Sequence, residues 1–531
     1  MRFFFIALLL LVGAVPDHAV GAAAPERGAA VIDPAALREL DGGPFGINRM
    51  LLPERSANIP LNNSELFGLP SMLPVRQALD DEFERYVTGH KASLPNETIG
   101  VGDGFAFQLF DRAWLASPDM RFVLAGIVNR MDRIYAAEAD CGEIRLIYRL
   151  TRTNPPNVGE NAVSPRLPMT LNLVLKAKSE KAKSEKAKSE KAKSEGQKTT
   201  CAEIARRWLA AGDLTLTGAE LAAALLAKDG PLDSISSANI DRIETNLQIA
   251  HAPKSAVRDF RTDYLLKVFR YDPKARLFQE APMENQIDRD RILANDGLRR
   301  EFKAWLLDTQ NLVAFDRGTA LIPEKFLARG AIAPTPAGFD PSDLQPEFGL
   351  LQGEGASANP VFVEADVVAA LRKASADGVK LQNIRSVGGF ERRLNDVTCS
   401  GCHQTRGIGG FHFPGVDWMA DKPSNSTVVP ASPHFFGDQV RRRDILAALR
   451  DGRPPDYSRG FASRPQPRGL AELAGTEYGD GWGAHCYVKS PKAADNDRSF
   501  SSWNCAEGLA CQGIGKGAKA SRMGMCFVKT R

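Results

Sequence analysis

Beyond its first two dozen residues the chain lacks any apolar run long enough to make a membrane-spanning helix. It also lacks a strong charge of one sign. Lys and Arg number 68 against 64 Asp and Glu, a formal net charge of +4. Four Lys-Ala-Lys-Ser-Glu repeats, from Lys176 to Glu195, each add one positive charge and so account for that surplus. The rest of the chain is balanced, so nothing marks an electrostatic footprint for nucleic acid. The repeats contain no large apolar residue and cannot pack a core. Their five-residue period matches neither a heptad nor a solenoid, and they read as a solvated insertion. No cysteine precedes Cys141, which excludes a lipid-anchored cysteine near the start. Aliphatic residues are scarce after Gly481, so that segment cannot stabilise itself by burial and needs cross-links.

What is present begins with an export signal. Arg2 supplies a positive start, Phe3 to Val15 is almost unbroken apolar sequence, and Ala19-Val20-Gly21-Ala22-Ala23-Ala24 offers small-residue cleavage sites. Residues 1–24 therefore read as a signal peptide. The mature protein is expected in the periplasm or otherwise exported, without a stable transmembrane anchor, in a compartment where disulfides persist. The 531 residues, 43% hydrophobic and 25% charged, leave room for two or three domains.

Alternation predicts strands over Ile144–Leu150, Thr170–Leu175, Tyr264–Tyr271 and Arg276–Gln279, the last two joined by a turn at Asp272-Pro273. Helical periodicity covers Ala202–Ala211 and Gly218–Ala227, and puts Phe302, Trp305 and Leu306 on one helix face. These elements imply an α+β domain with an antiparallel sheet over 31–290, interrupted by the insertion at 176–195. A helical region follows over 291–460. Asn129-Arg130-Met131-Asp132 and Cys141-Gly142-Glu143 look like motifs, but charged residues beside a strand are usually structural. No catalytic residue can be named from the sequence.

The most specific feature is Cys399-Ser400-Gly401-Cys402-His403. C-x-x-C-H is the attachment motif of a c-type haem. Cysteines three apart on a helical turn face the same way, so both thiols can add to the vinyl groups of one porphyrin. The following histidine, His403, then supplies the proximal iron ligand. Assigning Cys399 and Cys402 to haem leaves six cysteines. The simplest partition is Cys141 with Cys201 and two disulfides among Cys486, Cys505, Cys511 and Cys526, where four cysteines allow three pairings.

Phe390, Leu394 and Val397 form a helical face before the motif, with Arg392 and Arg393 off that face. An aromatic-rich loop follows, and then a helix capped by Asp438 and faced by Ile445, Leu446 and Leu449. This order, over about 360–455, resembles a class I cytochrome c domain. The resemblance implies a mostly α-helical cytochrome c-like domain carrying one covalent haem c. For the distal iron ligand the sequence ranks His434 first, then His412 and Met419. His485, Met523 and Met525 enter only if the tail folds back. Arg441-Arg442-Arg443 could pair with haem propionates or an acidic partner, though a solvated basic turn is the commoner meaning of such a run. The last segment, 481–531, resembles small disulfide-stapled modules. A zinc site through His485 and Cys486 is disfavoured by adjacent ligands and an oxidising compartment.

The expected function is electron transfer with a redox partner protein the sequence does not identify. One alternative is a haem-dependent oxidase or peroxidase-like enzyme with an open iron position. Another is a cell-surface binding protein with an accessory haem. A single attachment site counts against the diheme peroxidase type.

Overall fold

The computed structural model describes residues 28–55, 59–99, 111–137, 140–153, 166–178, 200–255, 261–334, 361–399, 401, 413–419, 429, 435, 438–460, 485–501, 503–505, 508–513 and 523–528. Residues 1–24, read above as a signal peptide, and nearly all of the repeat insertion lie outside these residues.

A large curled antiparallel sheet of nine strands dominates. Its strands are β1 (Ala30–Val31), β2 (Glu97–Ile99), β3 (Met120–Arg130), β4 (Glu143–Arg152), β5 (Arg166–Lys176), β6 (Ile240–Pro253), β7 (Arg261–Asp272), β8 (Leu277–Ala281) and β9 (Gly330–Pro334). The order is β1-β3-β4-β5-β6-β7-β8, with β2 added to β6 and β9 to β7. Successive side chains of a strand point to opposite faces. One face gathers Ile144, Leu146, Tyr148 and Leu150 of β4 with alternate residues of β5, β6 and β7. Helices Pro34–Gly42, Leu73–Ser93, Cys201–Gly212 and Gly218–Leu226 cover this face and complete the main core.

The other face is polar yet also buried, carrying Arg145, Arg149, Thr170, Asn172, Asn246 and Gln248. Phe413, Val429 and Phe435 pack here against Ala125, Val128 and Ile147. A second core is helical, formed by Asp296–Leu306, Thr309–Arg317, Glu364–Ala376 and Val387–Val397.

These contacts correct the expected fold class. Among the described residues, the stretch 360–455 does not close on itself as a mostly α-helical cytochrome c-like domain. In such a domain the first helix would pack against the last. Here Val387–Val397 packs against Thr309–Arg317 and Glu364–Ala376, whereas Gln439–Arg450 packs against Cys201–Gly212. Phe413 and Phe435 bury on the large sheet. The physical reason is that Phe413, Val429 and Phe435 of this stretch are spent on burying the sheet's second face and so do not build a helical core of its own.

The C-terminal segment forms a three-stranded sheet, β10 (His485–Tyr487), β11 (Leu509–Gly513) and β12 (Met523–Val528), in the order β10-β12-β11. Three disulfides form: Cys141–Cys201, Cys486–Cys511 and Cys505–Cys526. The first is the pair expected from the sequence, and the other two settle the tail connectivity. Among the described residues no helix is long and apolar enough to cross a membrane.

Candidate functional site

Helix Val387–Val397 delivers Cys399 to its place. Ser386 caps its start by accepting a hydrogen bond from Gly389 N. Phe390 and Leu394 enter the second core. The helix is buried on its other faces too. Arg392 pairs with Asp396 at 2.8 Å and lies 4.4 Å over the Trp503 ring, while Arg393 donates to the carbonyls of Asp316 and Arg459. Although off the Phe390–Leu394–Val397 face, both arginines are buried. The C-terminal module supplies a ring for one, and backbone carbonyls meet the other.

The helix closes in a tight turn. Thr398 Oγ1 donates to Asn395 O at 3.0 Å and accepts from Gly401 N at 3.1 Å. A Cβ on residue 401 would sit 2.2 Å from Asn395 O, so this position of the pentad requires glycine. The turn leaves Cys399 Sγ 3.7 Å from Glu284 O, packed with Leu266, Val268 and Met283.

Cys399 forms part of the wall of a cavity of about 340 Å³. Leu266, Val268, Met283, Leu327 and Val397 make its apolar side. Its other side belongs to a charged network on β4, β6 and the turn after β3. Glu143 accepts from Arg145 and Arg242, each at 2.9 Å, and Glu244 accepts from Arg145 at 3.0 Å. Arg133 joins Glu143 to Glu284. Burial alone would raise the Glu143 carboxyl, but Arg242, Arg133 and Arg145 hold it well below the usual range. Glu284, whose side chain is 45% exposed, is lowered as well by the Arg133 guanidinium beside it.

Arg459, also on the cavity wall, leads into a second buried cluster. Asp132 accepts from Arg130, Arg441 and Arg459 at 2.8, 2.8 and 2.7 Å. Asp438 accepts from Arg441 and Arg442 at 2.6 and 2.9 Å. Four guanidinium groups thus face two carboxylates. Arg442 is 2% exposed, and its Nη1 and Nη2 have no hydrogen-bond partner among the described residues. Burial and Arg130 push its guanidinium down to about 10. Arg441 and Arg442 are thus not a solvated basic turn. Asp438 stands at the N-cap position but its side chain makes no capping bond, being engaged by these arginines.

Of the remaining sequence candidates, Cys402, His403, His412 and His434 lie outside the described residues. Met419 is placed elsewhere: its Sδ lies 3.7 Å from Thr151 Oγ1, at the far end of β4 from Arg145. Six residues of strand separate Thr151 from the cavity residue Arg145, about 20 Å at 3.3–3.4 Å per residue. Met419 and Cys399 are therefore not brought together. His485 and Met525 pair in register on β10 and β12, and Met523 pairs with Tyr487. Asp417, two residues before Met419, is ion-paired to the fully buried Arg149. Pro414 lies so near Gly126 that a Cβ there would approach it to 2.8 Å. Sequence reasoning missed Glu284 and Arg459. It did single out Asn129–Asp132 and Cys141–Glu143, and both segments supply charges beside the cavity.

Comparison of the chain with protein-family models, with curated proteins and with solved structures finds no match.

Proposed function

We propose that this chain is an exported c-type haem protein that passes electrons to or from a partner protein. In this reading Cys399 and Cys402 hold one covalent haem c, and His403 is the proximal iron ligand. The observation that carries it is the C-x-x-C-H pentad, whose first cysteine helps line a cavity with one apolar and one arginine-rich side.

The residues present fit such a group. Leu266, Val268, Met283 and Val397 offer an apolar wall beside Cys399. The arginine surplus around Asp132 and Asp438, with the orphaned Nη atoms of Arg442, calls for anionic oxygen, which two propionates would provide. Bound here, haem supplies a one-electron ferrous–ferric couple. The chain's own part is positional. The Thr398–Gly401 turn holds Cys399 at the helix end, the apolar wall excludes water, and Arg442 and Arg459 orient carboxylates. The three disulfides are compatible with an oxidising compartment, and we place the mature protein in the periplasm.

The ferric absorption spectrum tests the role. A low-spin spectrum unchanged by cyanide or peroxide supports a carrier. A high-spin spectrum that responds to both refutes the carrier role. It favours a haem-dependent oxidoreductase with an open iron position, for which the cavity beside Cys399 leaves room.

A further inference from the structure

On the opposite face of β7 from Leu266 and Cys399, a compact group of ionisable side chains has no part in the haem reading. Helix Leu73–Ser93 contributes Tyr86 and His90, one turn apart, and β2, β6 and β7 contribute Glu97, His251 and Asp263. Both histidine side chains are 5% exposed, Glu97 12% and Asp263 15%. The histidine rings meet edge to face with centroids 4.6 Å apart.

Each contact has a direction. His251 Nδ1 lies 2.5 Å from Glu97 Oε2, and His251 Nε2 lies 3.5 Å from Asp263 Oδ2. Tyr86 OH donates to Asp263 Oδ2 at 2.8 Å. His90 Nε2 is 3.3 Å from Glu97 Oε2, yet it is buried with no hydrogen-bond partner among the described residues. Hydrogen bonding alone leaves that nitrogen unmatched, and a buried polar atom without a partner is rare.

We propose that His90, His251 and Asp263 form a zinc site, with Glu97 and Tyr86 orienting the ligands. One donor atom from each of the three lies within 4.8 Å of the other two. Tetrahedral zinc with bonds of about 2.0–2.1 Å sets its ligands about 3.4 Å apart, so the His251–Asp263 spacing already fits. Glu97 accepts a hydrogen bond from the Nδ1–H of His251 and thereby leaves Nε2 free for the metal, the carboxylate–histidine–metal arrangement that fixes tautomer and ring orientation. Tyr86 steadies the Asp263 carboxylate in the same way. Two imidazoles and a carboxylate suit zinc, and three protein ligands leave a fourth position for water or a substrate. The other group at ligand distance among the described residues, Cys486, Cys505 and Cys526, is committed to disulfides and offers no thiolate. The proposal does not rest on the haem reading.

The test is zinc binding by the full-length mature protein after chelator treatment, followed by calorimetry and elemental analysis. The expected result is one zinc per chain and a higher thermal midpoint with zinc. His90→Gln and Asp263→Asn should each weaken binding at least about 100-fold, and Glu97→Gln by about 10–100-fold, at unchanged far-ultraviolet circular dichroism. Failure of the parent protein to retain zinc at micromolar free metal overturns the proposal, as does equal affinity in all variants. Should the two ligand variants not fold, Glu97→Gln decides. Parent-like affinity in it refutes the site, and a graded loss supports it.

Discussion

Removing the Cys141–Cys201 disulfide should cost more than removing either bridge of the tail. Its cysteines are 60 residues apart, against 25 and 21 for the tail pairs. Constraining the unfolded chain over such loops is worth about 4.3 kcal/mol for the first and about 3.3–3.5 kcal/mol for the others. The bridge joins well-packed parts: Cys141 is fully buried, Ala177 N donates to Gly142 O at 3.0 Å, and Cys201 opens the helix that buries Trp208. The loop it closes contains the Lys-Ala-Lys-Ser-Glu repeats. Because the entropy grows only as the logarithm of loop length, deleting residues 179–195 should lower the bridge's worth by only about 0.3 kcal/mol. The double variant Cys141→Ala/Cys201→Ala should therefore lose about 4 kcal/mol in urea unfolding followed by circular dichroism. It should lose nearly the same in the deletion background, and the deletion alone should change little. A loss under about 1 kcal/mol, or one that halves when the repeats are removed, would refute the reasoning.

Two other perturbations follow from buried charges. Burial pushes the Asp41 carboxyl from 3.8 up to about 6, despite the hydrogen bond from Leu124 N and the nearby Arg121. The folded protein thus holds this proton more tightly than the unfolded chain. The contribution is full below the unfolded value and is lost as pH rises through the folded one. Asp41→Asn should accordingly stabilise by up to about 3 kcal/mol at pH 8 and by nothing at pH 3.5, read from unfolding midpoints at both values. Arg392→Leu strips the fully buried Asp396 of its ion pair and removes the guanidinium from the Trp503 ring. It should cost about 3–5 kcal/mol and make the C-terminal module more sensitive to protease, and an unchanged digestion pattern would count against that docking contact.

The legible parts of the fold were those with a local signature. Alternation in Ile144–Leu150, Thr170–Leu175 and Tyr264–Tyr271 marks β4, β5 and β7, because one face of each meets the main core. β3 carries no such signature: Phe413 and Phe435 bury its second face, so Val123 to Val128 is apolar on both sides. In β6 the alternation breaks at Thr245, and the polar residues Asn246 and Gln248 are themselves buried. The helices around the pentad were visible, but their partners were not. Nothing local in Phe390–Val397 says that it will pack on Thr309–Arg317 and Trp503 instead of on Gln439–Arg450. The site divides in the same way. The pentad announces itself by spacing, whereas its cavity joins Arg133, Arg242, Glu284 and Arg459, from segments that only the folded chain brings together. His90, Glu97, His251 and Asp263 likewise share no motif spacing.

The central claim is covalent haem on Cys399 and Cys402, and the most direct measurement is haem staining of the mature chain on a denaturing, reducing gel. The protein should be purified from a host with c-type maturation. The haem signal should co-migrate with the polypeptide, since thioethers survive denaturation and reduction, and it should be lost when both cysteines are replaced by alanine. A chain from the same host that carries no haem, with Cys399 and Cys402 recovered as thiols, would contradict the account.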